Sequence, residues 1–168
     1  VPTGDLMQGG NGLAGVPGQE LAFHQALELA IEYAEALNVP NVNILAGKQP
    51  QDADLLPCLN TLANNLKLAC HLLSNRDIQP VFEMINGTDM PRFLVQNIAQ
   101  GQEMLEAVQH PALKMQFDCY HMAMMGEDVL AALQENIDWI GHIQFADCPG
   151  RHEPDTAQID YSAIFSWL

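Results

Sequence analysis

The sequence has very few basic residues. Six Lys and Arg stand against 21 Asp and Glu, which gives the 168-residue chain a formal net charge of −15. Nucleic acids and anionic membrane surfaces are bound through clustered cations, so this composition argues against both kinds of partner. A small anionic substrate remains compatible with the composition, provided that a metal ion or a single Arg supplies positive charge locally.

The sequence also lacks long apolar runs and paired cysteines. No apolar run approaches the ~18 residues of a membrane span, and no segment resembles a signal peptide, so we expect a cytoplasmic protein. Cys58, Cys70, Cys119 and Cys148 form no C-x-x-C pair, which argues against a zinc knuckle or a thioredoxin-like motif. We expect reduced, buried thiols. With only 7% aromatic residues, aliphatic side chains and Met must fill the core.

What the sequence does contain is a regular alternation of helical and strand patterns. Residues 1–19 are rich in Gly and Pro and predict a loop. Helices are predicted over 20–38, from Asp52 or Asp54 to Leu73, from Pro91 to Val108, over 127–137 and from Asp160 onward, and strands over 42–47, 80–86, 113–118 and 140–146. This order predicts parallel strands with crossover helices, in a doubly wound sheet or in roughly half of an eight-stranded barrel.

Polar residues follow or end each predicted strand. The first strand leads to Lys48, the second ends in Glu83 and Asn86, the third ends in Asp118 with His121 shortly after, and the fourth carries Gln144 and leads to Arg151. In parallel α/β folds, function collects at the carboxyl ends of the strands. Two carboxylates that converge there repel each other unless a cation lies between them. Oxygen donors from Glu83, Asp118 and Gln144 favour a hard divalent ion, Mg²⁺ or Mn²⁺.

Each of these residues taken singly also has a simpler explanation. Glu83 could pair with a cation, and Asp118 could cap the segment after its strand. Gln144 could form a hydrogen bond to the backbone, and His121 and His142 could be core histidines with their hydrogen bonds satisfied. Arg151 and Glu153 could form a solvent-exposed ion pair. The combined pattern of three oxygen donors at three successive strand ends favours the functional interpretation.

Several segments resemble the hydroxypyruvate isomerases, a family of xylose-isomerase-like barrels related to the ketose 3-epimerases. They are residues 16–20, 43–48, 82–86, 117–122 and 141–147 with the continuation 149–154. The Asp-Cys-Tyr-His-Met sequence at 118–122 and the Gly-His-Ile-Gln sequence at 141–144 are the most specific. The resemblance implies an α/β fold, a partial (β/α)8 TIM barrel that forms one domain over residues 1–168, with strands equivalent to the fourth to seventh of eight.

The resemblance also implies an activity and roles for residues. A divalent metal would be held by Glu83, Asp118, Gln144 and a second Glu on the last barrel strand. Glu83 and that second Glu would pass a proton through an enediolate, as hydroxypyruvate is converted to tartronate semialdehyde. His121 and Arg151 would bind the substrate, and we expect Lys48 and Asn86 on the substrate side as well. Gln144 favours this branch over the epimerases, which have His there.

The second Glu lies outside the sequence, and both ends of the chain look cut. We therefore expect the N-terminal and last barrel strands to be absent, metal binding to be weak and catalysis to be poor or missing. The alternatives are a ketose 3-epimerase or sugar isomerase, and a non-catalytic half-barrel that binds a partner. Open sheet edges near Val42 and Ile143, and an inner face containing Val81, Met115 and Ile143, lead us to expect a homo-oligomer.

Overall fold

The computed structural model of the protein describes residues 11–168. They form helices α1 (Glu20–Leu37), α2 (Leu55–Ser74), α3 (Ile98–Val108), α4 (Cys119–Met124), α5 (Val129–Asn136) and α6 (Tyr161–Trp167), and strands β1 (Asn41–Ile44), β2 (Gln79–Glu83), β3 (Lys114–Asp118) and β4 (Ile140–Gln144). A 3-10 turn, Ile137–Trp139, leads into β4. The first ten residues of the predicted loop lie outside the described residues; residues 11–19 contain no helix or strand.

The four strands form one sheet in the order β1-β2-β3-β4, and every neighbouring pair is parallel. Each strand follows a helical crossover, so the predicted α/β alternation is confirmed. The sheet is open, with β1 and β4 at its edges, as expected from the strands near Val42 and Ile143. None of the described helices combines the length with the apolar composition that a membrane span requires.

The two faces of the sheet differ sharply in polarity. One face packs on the helices and is apolar, with Ile44, Phe82 and Phe117 fully buried. Period-two alternation along the strands puts the polar residues on the other face. Hydrogen bonds join four of these polar residues, Asn43, Glu83, Gln116 and Gln144.

The expectation of an apolar inner face around Met115 and Ile143 is wrong. Met115 reaches α3, where a Cβ added to Gly101 would lie 2.8 Å from the Met115 sulfur, and Ile143 packs against the apolar core. Both therefore belong to the helix side of the sheet. Val81 shares the inner face with Glu83, two residues later in the same strand. The inner face is consequently polar toward the carboxyl ends of the strands.

A bulge in β4 decides which of its residues reach the inner face. Met115 pairs with Ile140, but Gln116 pairs with His142, so Gly141 is the extra residue. A Cβ at Gly141 would lie 2.8 Å from the Lys114 Cβ, and the bulge therefore needs glycine there. The shifted register pairs Gln144 with Asp118, which brings both to the same end of the sheet.

The predicted start of the third helix at Pro91 is also wrong, because α3 begins at Ile98. The segment before it forms backbone hydrogen bonds to other loops: Leu94 N–H donates to the Gly47 carbonyl and Val95 O accepts from Ile85 N–H. Asn97 then caps the helix by accepting from Gln100 N–H. The apolar residues at 93–95 cover the core as a loop, and their apolar character had suggested helix.

The cysteine expectation is confirmed. Cys58, Cys70, Cys119 and Cys148 are free and buried. Burial raises the pKa of the Cys70 and Cys119 thiols to about 12, so these two are packing residues and not reactive thiolates.

Candidate active site at the carboxyl ends of the strands

The carboxyl ends of the strands open into a cleft of about 620 Å³. Nine of its thirteen lining residues are polar, and the lining comes from all four strands, the segments that follow them and Asn11 near the start of the chain. These residues are Asn11, Asn43, Leu45, Glu83, Ile85, Asp89, Met90, Phe93, Gln116, His121, His142, Gln144 and Arg151. The predicted strand-end residues Glu83, His121, Gln144 and Arg151 therefore share one cavity.

Glu83, the last residue of β2, is buried beneath this cleft. Its Oε2 accepts hydrogen bonds from Asn43 Nδ2 at 2.7 Å and from Gln116 Nε2 at 2.9 Å. Burial raises the pKa of Glu83 to about 7 and nearby Asp118 adds to the rise, while the two amide donors and Arg151 oppose it. A carboxyl group with this pKa can take up and release a proton near neutral pH.

Asp118 uses its two carboxylate oxygens differently. Oδ1 accepts from Tyr120 N–H at 2.9 Å and caps α4, while Oδ2 accepts from Arg151 Nη2 at 3.0 Å. The capping role considered for Asp118 is thus real, but it occupies one oxygen only. The sequence analysis missed α4, which is six residues long and begins directly after β3.

Gln144 is joined to Glu83 through Gln116. The Gln116 Nε2 group donates to Gln144 Oε1 at 2.9 Å and also to Glu83 Oε2. Sequence reasoning overlooked Gln116 and Asn43. Their signal was present, since each is a polar residue inside a short buried strand, and Gln116 lies two positions before Asp118 and so shares its face.

His121 lies between the two carboxylates. Its Nε2 is 3.8 Å from Glu83 Oε1 and 3.7 Å from Asp118 Oδ2, both too long for hydrogen bonds. Burial lowers the pKa of His121, although the Asp118 charge opposes this. Potential ligand atoms of Glu83, Asp118 and His121 all lie within 4.8 Å of one another.

The other predicted substrate-side residues lie in different positions. Arg151 pairs with Asp118 and its guanidinium lies 5.0 Å from the Tyr120 ring centroid, so the Glu153 pairing considered above is not what holds it. Asn86 contacts His121 and lies just behind the cleft. Lys48 forms a backbone bridge to Phe93, and its side chain is not among those that line the described cleft.

Asp147 anchors the loop that carries Arg151. The carboxylate is fully buried and accepts from five backbone N–H groups: those of Cys148, Thr156, Ala157, Gln158 and Ile159. Burial alone raises the pKa of Asp147, but these donors outweigh it and bring the pKa down to about 2. Asp147 lies within the segment 141–147 that carries the family resemblance, and no role was predicted for it from the sequence.

The donor set fits a hard divalent cation. The hydrogen bonds described for Glu83 fall on Oε2, and Oε1 lies 3.8 Å from His121 Nε2. Carboxylate oxygens of Glu83 and Asp118 and the amide oxygen of Gln144 are the kinds of ligand that Mg²⁺ and Mn²⁺ prefer. The Asp118 charge adds to the rise in the pKa of Glu83 that burial causes. The two carboxylates therefore repel each other, and a cation would relieve that repulsion.

Comparison with known proteins identifies a family and relatives that are named as isomerases. Residues 3–168 match the xylose isomerase-like TIM barrel family. The chain is 37% identical to the 2-oxo-tetronate isomerase of Cupriavidus necator, covering 96% of this chain and 62% of that protein. It is 36% identical to the hydroxypyruvate isomerase of Escherichia coli, covering 98% of this chain and 64% of that protein. The chain thus spans slightly less than two thirds of the length of these relatives.

A solved structure agrees on the fold. The crystal structure of an AP endonuclease, family 2, from Brucella melitensis matches with a TM-score of 0.91 at 28% identity, over 98% of this chain and 64% of that one. The open four-stranded sheet therefore corresponds to part of a TIM barrel, as the resemblance in the sequence implied.

Proposed function

The chain belongs to the xylose isomerase-like TIM barrel family, and we propose that this protein isomerises a small 2-keto acid, with hydroxypyruvate as the preferred candidate. Two relatives that match nearly the whole chain are named as isomerases of hydroxypyruvate and of 2-oxo-tetronate. Both names describe short keto acids, so the substrate class follows from either relative. The assignment of hydroxypyruvate to tartronate semialdehyde is the finer part of the proposal.

The observation that carries the proposal is the environment of Glu83. Isomerisation between a 2-keto-3-hydroxy acid and its aldehyde moves a proton between adjacent carbons. The group that moves it must accept the proton and return it at the same pH, which requires a pKa near neutrality. Glu83 has a pKa of about 7 because it is buried beside Asp118. Its Oε2 is held by two amide donors, which fixes the carboxyl group in one orientation.

The residues around Glu83 suit a short keto acid. Arg151 lies at the edge of the cleft with a half-exposed side chain, and its guanidinium can bind the substrate carboxylate in a bidentate manner. His121 Nε2 faces the space between Glu83 and Asp118, where a substrate oxygen can approach it. Asn86 supports His121 from behind.

Glu83, Asp118 and Gln144 would hold a divalent ion, Mg²⁺ or Mn²⁺. When bound there, such an ion would supply positive charge for the negative charge that develops on the substrate oxygens. Arg151 Nη2 lies 3.0 Å from Asp118 Oδ2, so a bound ion and the guanidinium would share this carboxylate.

A nucleic-acid substrate, as the name of the Brucella protein describes, is not favoured here. The six Lys and Arg of this chain are too few to neutralise several phosphates. The proposed partners are a small molecule and further copies of the protein. The open edges at β1 and β4 support self-association of this 168-residue chain. Light scattering of the chain over a concentration series tests it, and a monodisperse monomer at all concentrations would exclude it.

An activity assay with matched variants tests the function. The whole protein is given hydroxypyruvate or 2-oxo-tetronate with Mg²⁺ or Mn²⁺, and product formation is followed by NMR. We expect Glu83→Gln to lower kcat by at least ~100-fold, as removal of a general acid-base group does. Glu106→Gln makes the same chemical change at an exposed position on α3 and should be silent. Turnover of neither keto acid, or full activity of Glu83→Gln, would disprove the proposal.

A further inference from the structure

His121 Nδ1 lies against hydrogen-bond donors. Asn86 Nδ2 is 2.7 Å from it, and the Asn86 backbone N–H also points at it, at 3.5 Å. The backbone group is a donor in every protonation state. A proton on Nδ1 would therefore face two other donors, which is unfavourable in a buried site. His121 is 2% exposed and Asn86 is 0% exposed, so water does not relieve such a conflict.

The orientation of the Asn86 amide is fixed independently of His121. Its Oδ1 accepts from the backbone N–H groups of Thr88 at 3.1 Å and Asp89 at 2.8 Å. Its Nδ2 donates to Asp89 Oδ2 at 3.0 Å. A flipped amide would place its NH₂ group against two backbone donors and its oxygen against a carboxylate. The amide therefore presents its NH₂ group to His121.

Asp89 is held in turn by Tyr120. The Tyr120 hydroxyl donates to Asp89 Oδ2 at 2.7 Å, and Tyr120 directly precedes His121 on α4. The chain of contacts runs from Asp89 through Asn86 to His121 Nδ1. Each of these hydrogen bonds has one donor and one acceptor. The backbone N–H groups and the Asp89 carboxylate therefore determine which partner donates in every hydrogen bond of the series.

We infer that Asn86 and Asp89 are positioning residues that hold His121 as the Nε2–H tautomer. The neutral imidazole carries one proton, and with Nδ1 accepting, that proton is on Nε2. Nε2 faces the cleft, 3.7 Å from Asp118 Oδ2 and 3.8 Å from Glu83 Oε1. His121 then donates a hydrogen bond into the cleft and has no lone pair there with which to bind a metal.

This inference rests on the proposed function for its meaning, because a donor at this point serves a substrate oxygen. It also distinguishes between two possible sets of metal ligands. Glu83, Asp118 and His121 lie close enough to form a Glu-Asp-His site. A fixed Nε2–H removes His121 from that set and leaves the oxygen donors Glu83, Asp118 and Gln144.

Imidazole ¹⁵N NMR of the full chain, without metal or substrate and at a pH where His121 is neutral, tests the inference directly. Long-range ¹H–¹⁵N correlations distinguish a protonated ring nitrogen from an unprotonated one. We expect the wild-type protein to show Nε2 of His121 protonated and Nδ1 unprotonated. An Nδ1–H tautomer in the wild-type protein would overturn the inference, and this measurement needs no variant.

The double variant Asn86→Asp with Asp89→Asn reverses the donor and acceptor roles in the series of hydrogen bonds from residue 89 to His121, and the net charge stays the same. The new carboxylate at 86 still accepts from the backbone of residues 88 and 89, receives the new amide at 89, and presents an oxygen to His121 Nδ1. We expect the tautomer to switch to Nδ1–H. A double variant that stays Nε2–H would show that these residues do not set the tautomer.

Tyr120→Phe is the matched control, because it removes the hydroxyl from Asp89 and leaves the donors at His121 Nδ1 in place. It should keep the Nε2–H tautomer. A switch to the Nδ1–H tautomer in this variant would contradict the inference that the donors at Nδ1 set the tautomer of His121. The remaining histidines report whether each variant is folded. The NMR result does not depend on turnover, so failure of the isomerase assay with the expected tautomers would contradict the proposed function alone.

Discussion

The two ends of the sheet hold clefts of similar size that differ in how deeply their charged groups are buried. The groove at the amino ends is the larger, about 800 Å³ against about 620 Å³ at the carboxyl ends. Its lining includes Leu105, Pro111 and Trp139, and its Lys114 Nζ donates to the Asp138 carbonyl at 2.6 Å. The carboxyl-end cleft contains the buried carboxyl group of Glu83, whose pKa is raised to about 7. The buried ionisable group therefore identifies the candidate site, whereas cavity volume alone would point to the groove at the amino ends.

Backbone geometry explains the difference. At the carboxyl ends, the chain leaves each strand through loops and a helix start whose N–H groups point back toward the sheet. Asp118 accepts one such N–H at the start of α4, Asn86 Oδ1 accepts two, and Asp147 accepts five. These donors allow anionic and amide oxygens to be buried at this end. Four predictions test this contrast between the ends.

The largest effect is expected at Asp147. Asp147→Ala leaves five backbone N–H groups without their acceptor, which should lower the free energy of unfolding by about 3 to 4 kcal/mol. Chemical denaturation measures it, with Asp52→Ala, at an exposed turn, as the silent control. Because the folded pKa is about 2, the stabilisation is present above pH ~4 and is lost as pH falls toward 2. Equal stability of the two variants would refute the anchoring role.

The next effect concerns metal affinity. Asp118→Asn removes a proposed charged ligand and should weaken Mn²⁺ binding by at least ~100-fold, beyond the range seen for outer-shell changes. His121→Ala should leave the metal affinity within a factor of ~10, because His121 is proposed to contact the substrate. Isothermal titration calorimetry of both variants gives the two affinities. The assignment of roles is wrong if both variants lose the metal equally.

The third effect concerns Glu83, whose contribution to stability depends on pH in the opposite direction to that of Asp147. The pKa of Glu83 is raised to about 7 from an ordinary value of 4.5, so its stabilisation is present below pH ~4.5 and is lost as pH rises through 7. In the metal-free protein this loss is up to about 3 kcal/mol. Glu83→Gln should flatten stability between pH 5 and 8 and should stabilise the protein at pH 8. Denaturation midpoints across pH measure this, and parallel wild-type and variant profiles would contradict it.

The smallest effect is expected at the amino end. Trp139 is 52% exposed, and Lys114 Nζ lies 5.4 Å from its ring centroid. Trp139→Ala should therefore lower the free energy of unfolding by only about 1 kcal/mol. Mn²⁺ affinity and the Glu83 pH profile should stay at wild-type values. A change in metal affinity in this variant would mean that the two ends are energetically coupled, and the contrast drawn here would fail.

Much of the fold followed from local patterns. Helical periodicity and short apolar runs gave the alternation and the four strands, because amphipathic spacing is fixed by the periods of helix and strand. The errors came where tertiary contacts overrode local preference. Residues 91–97 form a loop because their backbone groups bond to distant loops, and α4 is too short to have a periodic signal.

The sequence by itself determined that carboxylates and amides stand at the ends of buried strands, since strand position and residue type are both local properties. Only the tertiary structure decided how they meet. The bulge at Gly141 sets the register that pairs Gln144 with Asp118, and Gln116 joins Glu83 to Gln144 across two strand boundaries. The raised pKa of Glu83 and the donors around His121 Nδ1 likewise arise from residues distant in the chain. Hydrogen-bond direction and desolvation depend on which residues are neighbours in space. Those neighbours are defined only once the strands have paired.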